Sequence, residues 1–461
     1  MPLQKNQVLT LRIERLSSDG SGVAHSPDGE TVFIPGAAPG DEARVRIVKD
    51  CKRYAFGILD EVLTPSPDRI PVDCAVAGPC GGCSLRHLDY AAELRAKQEN
   101  VADAFARIGG LDVPVLPIVG SPEVNRYRNK VQFPVGVDKS GKPCIGFYAG
   151  RTHRIVPCPD CRLQPGVLNE IGNALCAFFA EKGIQPYSEE TGRGLVRHIF
   201  LRRGAHSGQI MVCLVCTRAR LPSAEELCTR LKAQFAEITT ILLNVNAKNT
   251  NVILGTETHT LYGQGYIEDT LCGVPVQLGP LSFYQVNTLA AEQLYGIAAQ
   301  YAQLTPDDLL LDLYCGMGTI GLSMAAHCRE LIGVEIVPEA IESARANAAR
   351  MGADVAAKSR FFCADAGQAA TRLAAEGLHP DIVMLDPPRK GCDEATLSAV
   401  VRMSPRRVVY VSCNPATAAR DAAWLEQNGY HAEKVQPVDL FPRTRHCECV
   451  LSLSNFPRRE V

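Results

Sequence analysis

The chain has 461 residues, more than one typical hydrophobic core requires, so two or three domains are expected. Hydrophobic residues make up 46% and charged residues 21%, which fits a globular protein and excludes a disordered or fibrous one. No apolar run reaches transmembrane length and the first residues lack a signal-peptide core, so we expect a cytoplasmic protein without membrane contact. With a formal net charge of -2, any surface that binds nucleic acid must be a local basic patch.

The N-terminal segment, residues 1–64, is predicted to be a small β-barrel. The stretches VLTLRIERL, TVFIPG, EARVRIVKD and YAFGILDEVL have the composition of strands, and DGSG, PDGE and APGD interrupt them with turn-forming residues. Short strands at this spacing are typical of barrels that bind oligonucleotides. Pro65, Pro67 and Pro71 then mark a linker.

A central α+β domain is predicted over residues 65–280. Its first element is a helix over residues 88–108, which Gly109 and Gly110 end. The strand-like stretches KVQFPVGV, QIMVCLVC and TTILLNVN follow, interleaved with the helical stretches LNEIGNALCAFFAEKG and SAEELCTRLKAQF.

From residue 281 to residue 461 apolar strands alternate with helices. The strands are LLLDLYC, LIGVEI, IVMLDPP and VVYVSC, and PEAIESARANAARMG is the clearest helix. This alternation predicts an α/β domain of Rossmann type, with a parallel sheet and helices on both faces. Ligands of such sheets bind beyond the carboxyl ends of the strands.

The strand ends carry the residues of a nucleotide-type cofactor site. The turn DLYCGMGTIG contains Gly316 and Gly318, which allow the backbone to approach a ligand closely. Glu335 ends the second strand, where a carboxylate can accept hydrogen bonds from ribose hydroxyls, and Asp365 follows the third. A glycine pair also fits NAD-binding folds. The later strand ends supply methyl-transfer chemistry and favour S-adenosylmethionine.

Three residues predict the reaction. Asp386 begins DPPRKG after the fourth strand, Cys413 lies in VSCNP after the fifth, and Glu448 is near the C-terminus. Carbon 5 of uracil is a weak nucleophile until a thiolate adds to carbon 6, and a base must later remove the carbon 5 proton. Cys413 and Glu448 fit these two roles, with Asp386 orienting the uracil or the cofactor. His446 is as well explained by RNA contact as by proton transfer.

Cysteines form a second predicted site. The chain has 19 cysteines, and most are expected to be buried thiols. Cys74, Cys80 and Cys83 lie close together around two glycines, and either Cys158 or Cys161 can supply a fourth ligand. Zinc and a [4Fe–4S] cluster both accept four thiolates, and the three-plus-one arrangement favours the cluster.

These motifs resemble a known family. SFYQVN, DLYCGMG, DPPRKG, VSCNP and the final segment with His446 and Glu448 occur in the order found in RNA uracil-5-methyltransferases. Over nearly its whole length the chain resembles the bacterial iron–sulfur enzymes that methylate 23S ribosomal RNA. The stretch VFIPGAAPGDEARVRI resembles a TRAM RNA-binding domain. The helix at Tyr90–Ile108 resembles the segment that packs with the catalytic domain in this family, so we expect it to pack against the C-terminal domain.

The resemblance implies a role for individual residues. S-adenosylmethionine would be bound by Gln285, Tyr314, Glu335, Asp365 and Asp386, together with Gly316, Gly318 and Thr319 of the turn. Thr319 stands where some members have asparagine. Cys413 would be the nucleophile and Glu448 the base. A [4Fe–4S] cluster would be held by Cys74, Cys80, Cys83 and Cys161.

The substrate implied by the resemblance is 23S ribosomal RNA, bound by a monomer with no protein partner evident. The barrel and the cationic segment Arg126–Lys130 are expected to contact the RNA, with Tyr127 stacking on a base. Phe283 or Tyr284 is expected to hold the extruded uridine. Two alternatives remain: a transfer RNA uracil-5-methyltransferase, whose known examples generally lack the barrel and the cluster, and a non-catalytic RNA-binding or ribosome-assembly protein.

Overall fold

The N-terminal barrel is a six-stranded sheet in the order β1-β5-β6-β4-β3-β2. The computed structural model describes residues 3–150, 152–248 and 250–455. The barrel strands are β1 Val8–Arg12, β2 Arg15–Leu16, β3 Ser21–His25, β4 Thr31–Pro35, β5 Glu42–Asp50 and β6 Tyr54–Thr64. Only β3 was not anticipated, because it begins inside the glycine-rich DGSG stretch that resembles a turn. Alternating side chains of β5 and β6 fill the barrel interior.

The central region contains a seven-stranded sheet, in the order β13-β12-β11-β10-β7-β8-β9, and a separate β14-β15 hairpin. The strands are β7 Lys130–Val137, β8 Pro143–Tyr148, β9 Ile155–Pro157, β10 Val196–Arg203, β11 Ile210–Cys216, β12 Ile238–Val245, β13 Glu257–Tyr262, β14 Ile267–Leu271 and β15 Val274–Leu278. The helices are α2 Gly166–Glu181 and α3 Ala224–Gln234. Their apolar faces share one core with the sheet.

Helix α1, Tyr90–Asp103, continues into a π-helical turn, Ala104–Gly109. The Asp89 side chain caps its N-terminus by accepting a hydrogen bond from the backbone N–H of Ala92. Val101 and Phe105 are buried in the core of the C-terminal sheet. The first helix therefore packs on the C-terminal sheet.

The C-terminal sheet has seven strands in the order β18-β17-β16-β19-β20-β22-β21. They are β16 Leu309–Leu313, β17 Glu330–Glu335, β18 Ser359–Cys363, β19 Ile382–Leu385, β20 Arg407–Ser412, β21 His431–Val438 and β22 Glu448–Ser454. The helices are α4 Thr288–Ala302, α5 Thr319–Met324, α6 Pro338–Arg350, α7 Ala353–Lys358, α8 Ala366–Ala375, α9 Glu394–Met403 and α10 Pro415–Gln427, with a short 3₁₀ turn at Ala325–His327.

This topology confirms the predicted α/β class and refines it in one respect. Strands β16 to β20 are parallel, as predicted. The last two strands, β22 and β21, are antiparallel to their neighbours at one edge of the sheet. An antiparallel neighbour begins where the adjacent strand ends, so the start of β22 lies at the carboxyl end of β20. Of the helices that the structure describes, none has the length and apolarity needed to cross a membrane.

Candidate active site

The predicted site residues lie along the carboxyl ends of five adjacent parallel strands. From β16 the chain adds β17 and β18 on one side of the sheet and then returns to add β19 and β20 on the other side. The strand order therefore reverses between β16 and β19. Such a switch point leaves a crevice in which ligands bind. The predicted cofactor residues Glu335 and Asp365 lie on the β17–β18 side. Asp386 and Cys413 follow β19 and β20 on the other side.

The glycine turn after β16 is shaped by close backbone approach. Gly316 and Gly318 have φ of 54° and 79°, in the left-handed region that favours glycine. The backbone N–H of Gly321 donates to Asp312 Oδ2 at 3.0 Å. A Cβ on Gly321 would lie 2.8 Å from that same oxygen. Asp312 Oδ1 is buried without a hydrogen-bond partner among the described residues, a feature that the sequence analysis did not single out.

Carboxylates at the ends of β17 and β18 are oriented by the backbone. Glu335 Oε2 accepts from the N–H of Gly316 at 3.2 Å, and its Oε1 accepts from the two N–H groups that follow it in the chain. Asp365 caps helix α8 by accepting from the N–H of Gln368 at 3.1 Å. Both side chains are therefore held at the crevice independently of a ligand.

A buried tyrosine connects two of the remaining predicted cofactor residues, Thr319 and Gln285. The hydroxyl of Tyr295, on α4, lies 3.3 Å from Thr319 Oγ1 and hydrogen-bonds the side chain of Gln285. Tyr314 adopts a left-handed conformation with φ of 66°, and its hydroxyl lies 3.3 Å from the hydroxyl of Thr396. Sequence reasoning missed Tyr295 because its position in an ordinary amphipathic helix carries no signal of function.

The three predicted catalytic residues converge. Cys413 follows β20, and Glu448 begins β22, whose residue Cys449 pairs with Ser412. Burial raises the pKa of the Cys413 thiol to about 11, and repulsion from the negative charges of Glu448 and Asp386 contributes less to this increase. Burial and the proximity of Asp386 raise the pKa of Glu448 to about 8. Burial raises the pKa of Asp386 to about 7.

Arg389, from DPPRKG, supplies the positive charge of this cluster. Its guanidinium favours the anionic forms of Cys413 and Glu448 and so lowers the pKa of each. Burial, together with Arg389 and Arg445, lowers the pKa of His446 to about 4. His446 is therefore a neutral imidazole at physiological pH.

The structure separates the two aromatic residues predicted to hold a uridine. The side chain of Phe283 is 73% exposed, whereas that of Tyr284 is 3% exposed and its hydroxyl donates to Asp269 Oδ2 at 3.1 Å. Tyr284 supports the domain core, so the prediction is wrong for this residue. Phe283 alone is free to contact a base.

The segment Arg126–Lys130 is more structural than predicted. Tyr127 is buried and its hydroxyl donates to the carbonyl of Pro442 at 2.9 Å, so the prediction that it stacks on a base is wrong. Arg126 pairs with Asp160 at 2.7 Å and donates to two backbone carbonyls. Burial lowers the pKa of Lys130 to about 8, and the nearby positive charges of Arg202 and Arg128 contribute to the decrease.

The predicted cysteine ligands line one cavity of about 110 Å³. Its walls include Cys74, Cys80, Cys83, Cys158 and Cys161, together with Arg86. A hydrogen bond with Cys158 lowers the pKa of Cys161 to about 7. Across residues 3–150, 152–248 and 250–455, no set of three or more His, Cys, Asp or Glu side chains is arranged to hold a metal ion. The five cysteines thus surround one cavity without forming the close geometry of a single-ion site.

Comparison with known proteins identifies the family. A family model described as tRNA (Uracil-5-)-methyltransferase matches residues 204–456, and a TRAM domain model matches residues 2–59. An uncharacterized RNA methyltransferase of Halalkalibacterium halodurans is 43% identical over 457 residues, covering 98% of this chain and 99% of that protein. The chain belongs to the tRNA (uracil-5-)-methyltransferase family. Its N-terminal barrel is a TRAM domain.

A solved relative extends the family assignment to the cofactor. Pyrococcus abyssi tRNA (uracil-54, C5)-methyltransferase in complex with S-adenosyl-L-homocysteine superposes with a TM-score of 0.77 at 27% identity, covering 97% of this chain and 100% of that one. This family member is therefore an RNA methyltransferase that uses S-adenosylmethionine, as predicted. Since the superposition covers nearly the whole chain, the barrel does not distinguish ribosomal RNA enzymes from transfer RNA enzymes, contrary to our expectation.

Proposed function

We propose that this enzyme methylates carbon 5 of a uridine in 23S ribosomal RNA. The observation that carries the uridine chemistry is the convergence of Cys413, Glu448 and Asp386 at the ends of β20, β22 and β19. The cavity lined by five cysteines supports the ribosomal substrate, because the iron–sulfur enzymes that the sequence resembles act on 23S ribosomal RNA. Transfer RNA is the second candidate substrate, because the relative that covers 97% of this chain is a transfer RNA enzyme.

Cys413 acts as the nucleophile in this proposal. Its sulfur adds to carbon 6 of the uracil, which moves electron density onto carbon 5 and makes that carbon nucleophilic. The thiol must first lose its proton, and the adjacent Arg389 favours the thiolate. Asp386 lies close enough to influence both Cys413 and Glu448 electrostatically, and it orients the uracil within the crevice.

Glu448 completes the reaction. After carbon 5 has been methylated it still carries its original hydrogen, which must leave as a proton before the carbon–sulfur bond can break. Glu448 takes that proton, the carbon 5–carbon 6 double bond forms again, and the Cys413 sulfur departs. A pKa of about 8 suits a carboxylate that must accept a proton near neutral pH.

The crevice between β16 and β19 fits S-adenosylmethionine. Bound there, the cofactor supplies an electrophilic methyl group on a sulfonium. We assign its binding to Gln285, Tyr314, Gly316, Gly318, Thr319, Glu335, Asp365 and Asp386. The unpartnered buried oxygen of Asp312 supports this fit, since a polar atom held away from water requires a partner that a ligand can provide. Asp312 is the residue that we add to the predicted set.

The cysteine cavity fits a [4Fe–4S] cluster held by Cys74, Cys80, Cys83 and Cys161. The shared cavity supports this assignment, because a cluster needs four thiolates around one space. Arg86 beside Cys83 offsets the negative charge of the thiolates. Cys161 is preferred over Cys158 as the fourth ligand because the segment CRLQ, which begins with Cys161, resembles the segment that follows the fourth ligand in the family.

These assignments imply a division of labour along the chain. Residues 1–64 bind RNA, residues 65–280 contain the cysteine site and support the catalytic loop, and residues 281–461 carry the cofactor and the chemistry.

The substrate and the chemistry are tested together by methyl transfer from labelled S-adenosylmethionine to unmodified ribosomal RNA and, separately, to transfer RNA. We expect 5-methyluridine in large-subunit ribosomal RNA, and a Cys413→Ala variant should lose at least about 10³-fold in rate. A Glu448→Gln variant should accumulate an RNA–protein adduct that survives denaturing electrophoresis, because the sulfur cannot leave. Cys228→Ala, outside the site, is the matched control. Product only in transfer RNA would overturn the ribosomal assignment, and full activity of Cys413→Ala would overturn the mechanism.

The metal site is tested by iron analysis of anaerobically purified protein. We expect a brown protein with broad absorbance near roughly 400 nm. Cys161→Ala should lose iron, whereas the core variant Cys176→Ala should retain it. A colourless wild-type protein that contains one zinc ion would contradict the cluster, and iron retained in Cys161→Ala but lost in Cys158→Ala would transfer the fourth ligand to Cys158.

A further inference from the structure

Three aromatic rings form a cluster on the outer surface of the barrel. Phe33 on β4 contacts Tyr54 and Phe56 on β6, with ring centroids 5.7 Å and 5.9 Å away. Tyr54 and Phe56 contact each other at 5.6 Å. The pairing of Phe33 with Phe56 across β4 and β6 brings the rings together. We call these three residues the aromatic platform.

The aromatic platform is not part of the barrel core. Along β6 Ala55 and Gly57 are the buried positions, so the side chains of Tyr54, Phe56 and Ile58 face outward. Tyr54 remains 40% exposed and Ile58 51% exposed. Contiguous apolar surface of this kind on a small domain usually marks a binding site.

Basic side chains border the aromatic platform. The hairpin between β5 and β6 carries Lys49, Lys52 and Arg53, all exposed. None of the three has an ion-pair partner among residues 3–150, 152–248 and 250–455. Arg46, by contrast, is neutralised by Asp60 at 2.6 Å. We call Lys49, Lys52 and Arg53 the basic hairpin.

The barrel contacts the catalytic loop at the end of β4 that lies away from Tyr54. The turn that precedes β3 packs on the C-terminal loop, since a Cβ on Gly20 would lie 3.4 Å from the Cβ of Arg445. Ser21, beside that turn, pairs with Pro35 at the end of β4. Phe33 is two residues away along β4, about 7 Å. Tyr54 pairs with Thr31 at the opposite end of β4, about 13 Å from Pro35 along the strand. An RNA strand that enters the active site near Arg445 must therefore run along the barrel to cover the platform.

We propose that the aromatic platform binds an unpaired segment of the RNA substrate, with bases stacked on Tyr54 and Phe33 and phosphates on the basic hairpin. This inference rests on the proposed function, because it assigns a second binding site on the same substrate. Exposed rings next to unpaired cations suit the two chemical parts of a single strand, the faces of its bases and its phosphates. In a duplex the base faces are covered by stacking, so the rings would have no partner.

The proposal is tested by binding of a fluorescein-labelled, unstructured 12-nucleotide RNA to the full chain in saturating S-adenosylhomocysteine. Tyr54→Ala and Phe33→Leu should each weaken binding by about 5- to 150-fold, the range measured for loss of one base–aromatic stack. Tyr54→Phe keeps a ring and should bind like the wild type. Leu63→Ala, at another exposed apolar position of β6, is the matched control.

A second measurement addresses the basic hairpin. Replacing Lys52 and Arg53 by glutamine should lower the slope of log affinity against log salt by about 0.7 for each side chain. Thermal unfolding of every variant shows whether the barrel remains folded. Leucine is chosen at position 33 because it retains most of the apolar volume of Phe33 and so keeps the barrel folded.

Unchanged RNA affinity in both Tyr54→Ala and Phe33→Leu would overturn the proposal, as would a duplex RNA that competes as well as the single strand. The methyl-transfer assay separates this failure from failure of the proposed function. Normal methylation by the wild type with normal RNA binding by the platform variants rejects the platform alone. Loss of RNA binding in the variants of a protein that methylates no RNA supports the platform and rejects the proposed function.

Discussion

At the scale of single residues, the proposed catalytic groups rest in their protonated forms. The thiol of Cys413 has its pKa raised to about 11 and the carboxyl of Glu448 to about 8, mainly because burial disfavours the charged forms. Both proposed roles need a deprotonated group. The rate of the free enzyme, measured as kcat/KM, should therefore increase between about pH 6 and pH 9.

Arg389 tunes this profile. Its positive charge lowers the pKa of both Cys413 and Glu448, so an Arg389→Ala variant should have its kcat/KM profile displaced to higher pH, by up to about one unit. Below the plateau this displacement reduces the rate by up to about tenfold. Arg389→Lys keeps the charge and should restore most of the profile. A rate loss in Arg389→Ala that is equal at every pH would indicate a role in substrate binding only.

At the scale of elements, the loop before Glu448 is held by three neighbouring segments. Lys97, on α1, is 1% exposed and donates to Asp439 at 2.8 Å and to the carbonyl of Phe441 at 3.1 Å. The carbonyl of Arg443 accepts from the N–H groups of Ser84 and Leu85, which directly follow the cysteine Cys83. Tyr127 holds the same loop through Pro442. Helix α1 and the wall of the cysteine cavity thus both position the strand that begins with Glu448.

Lys97 is the centre of this arrangement. It also pairs with Glu93 at 2.7 Å, and both carboxylates that it contacts are buried. A Lys97→Met variant removes the cation that Asp439 and Glu93 share and leaves Glu93 with the more distant Arg443, at 3.7 Å. It should lower the free energy of unfolding by about 3–5 kcal/mol. Urea unfolding measures the change.

Arg95, on the same helix, forms an exposed ion pair with Asp68 and provides the control. Arg95→Met should change the free energy of unfolding by less than about 1 kcal/mol, since exposed ion pairs contribute little. Equal losses in the two variants would show that α1 is destabilised by any substitution and would remove the special role of Lys97.

At the scale of the whole molecule, burial of carboxyl groups makes stability depend on pH. Asp312 and Glu448 have pKa values raised to about 8, and Asp386 to about 7, so the folded state binds protons that the unfolded state has released. A raised folded pKa stabilises at low pH, and the contribution is lost as pH rises through the folded value. Burial lowers the pKa of His87 and His198 to about 4, and these groups destabilise the fold only below about pH 6.5.

The protein without cofactor should therefore lose stability between about pH 6.5 and pH 8.5. Asp312→Asn removes one titrating group while its side-chain oxygen can still accept from Gly321, and should flatten the decline by up to about 1.4 kcal/mol per pH unit. Chemical unfolding at several pH values measures the slope. Parallel curves for the wild type and Asp312→Asn would contradict the raised pKa of Asp312.

Much of the molecule was predictable from sequence, because its signals are local. The alternating strands and helices after residue 281, the glycine turn and the turn-separated barrel strands each follow from neighbouring residues. β3 was missed because glycine-rich strands and turns have the same composition. The direction of β21 and β22 was not predicted, since periodicity carries no information on which way a strand runs.

The sequence by itself determined the α/β class, the order of the motifs and the residue types at the strand ends, because periodicity and turn chemistry are properties of short segments. Only the tertiary structure decided which of those residues act together. Antiparallel pairing of β22 with β20 brings Glu448 beside Cys413. Tyr127 and Tyr284 are buried away from the substrate, whereas Tyr54 is exposed. Exposure and long-range pairing depend on how the segments pack, which the local pattern of any one segment does not specify.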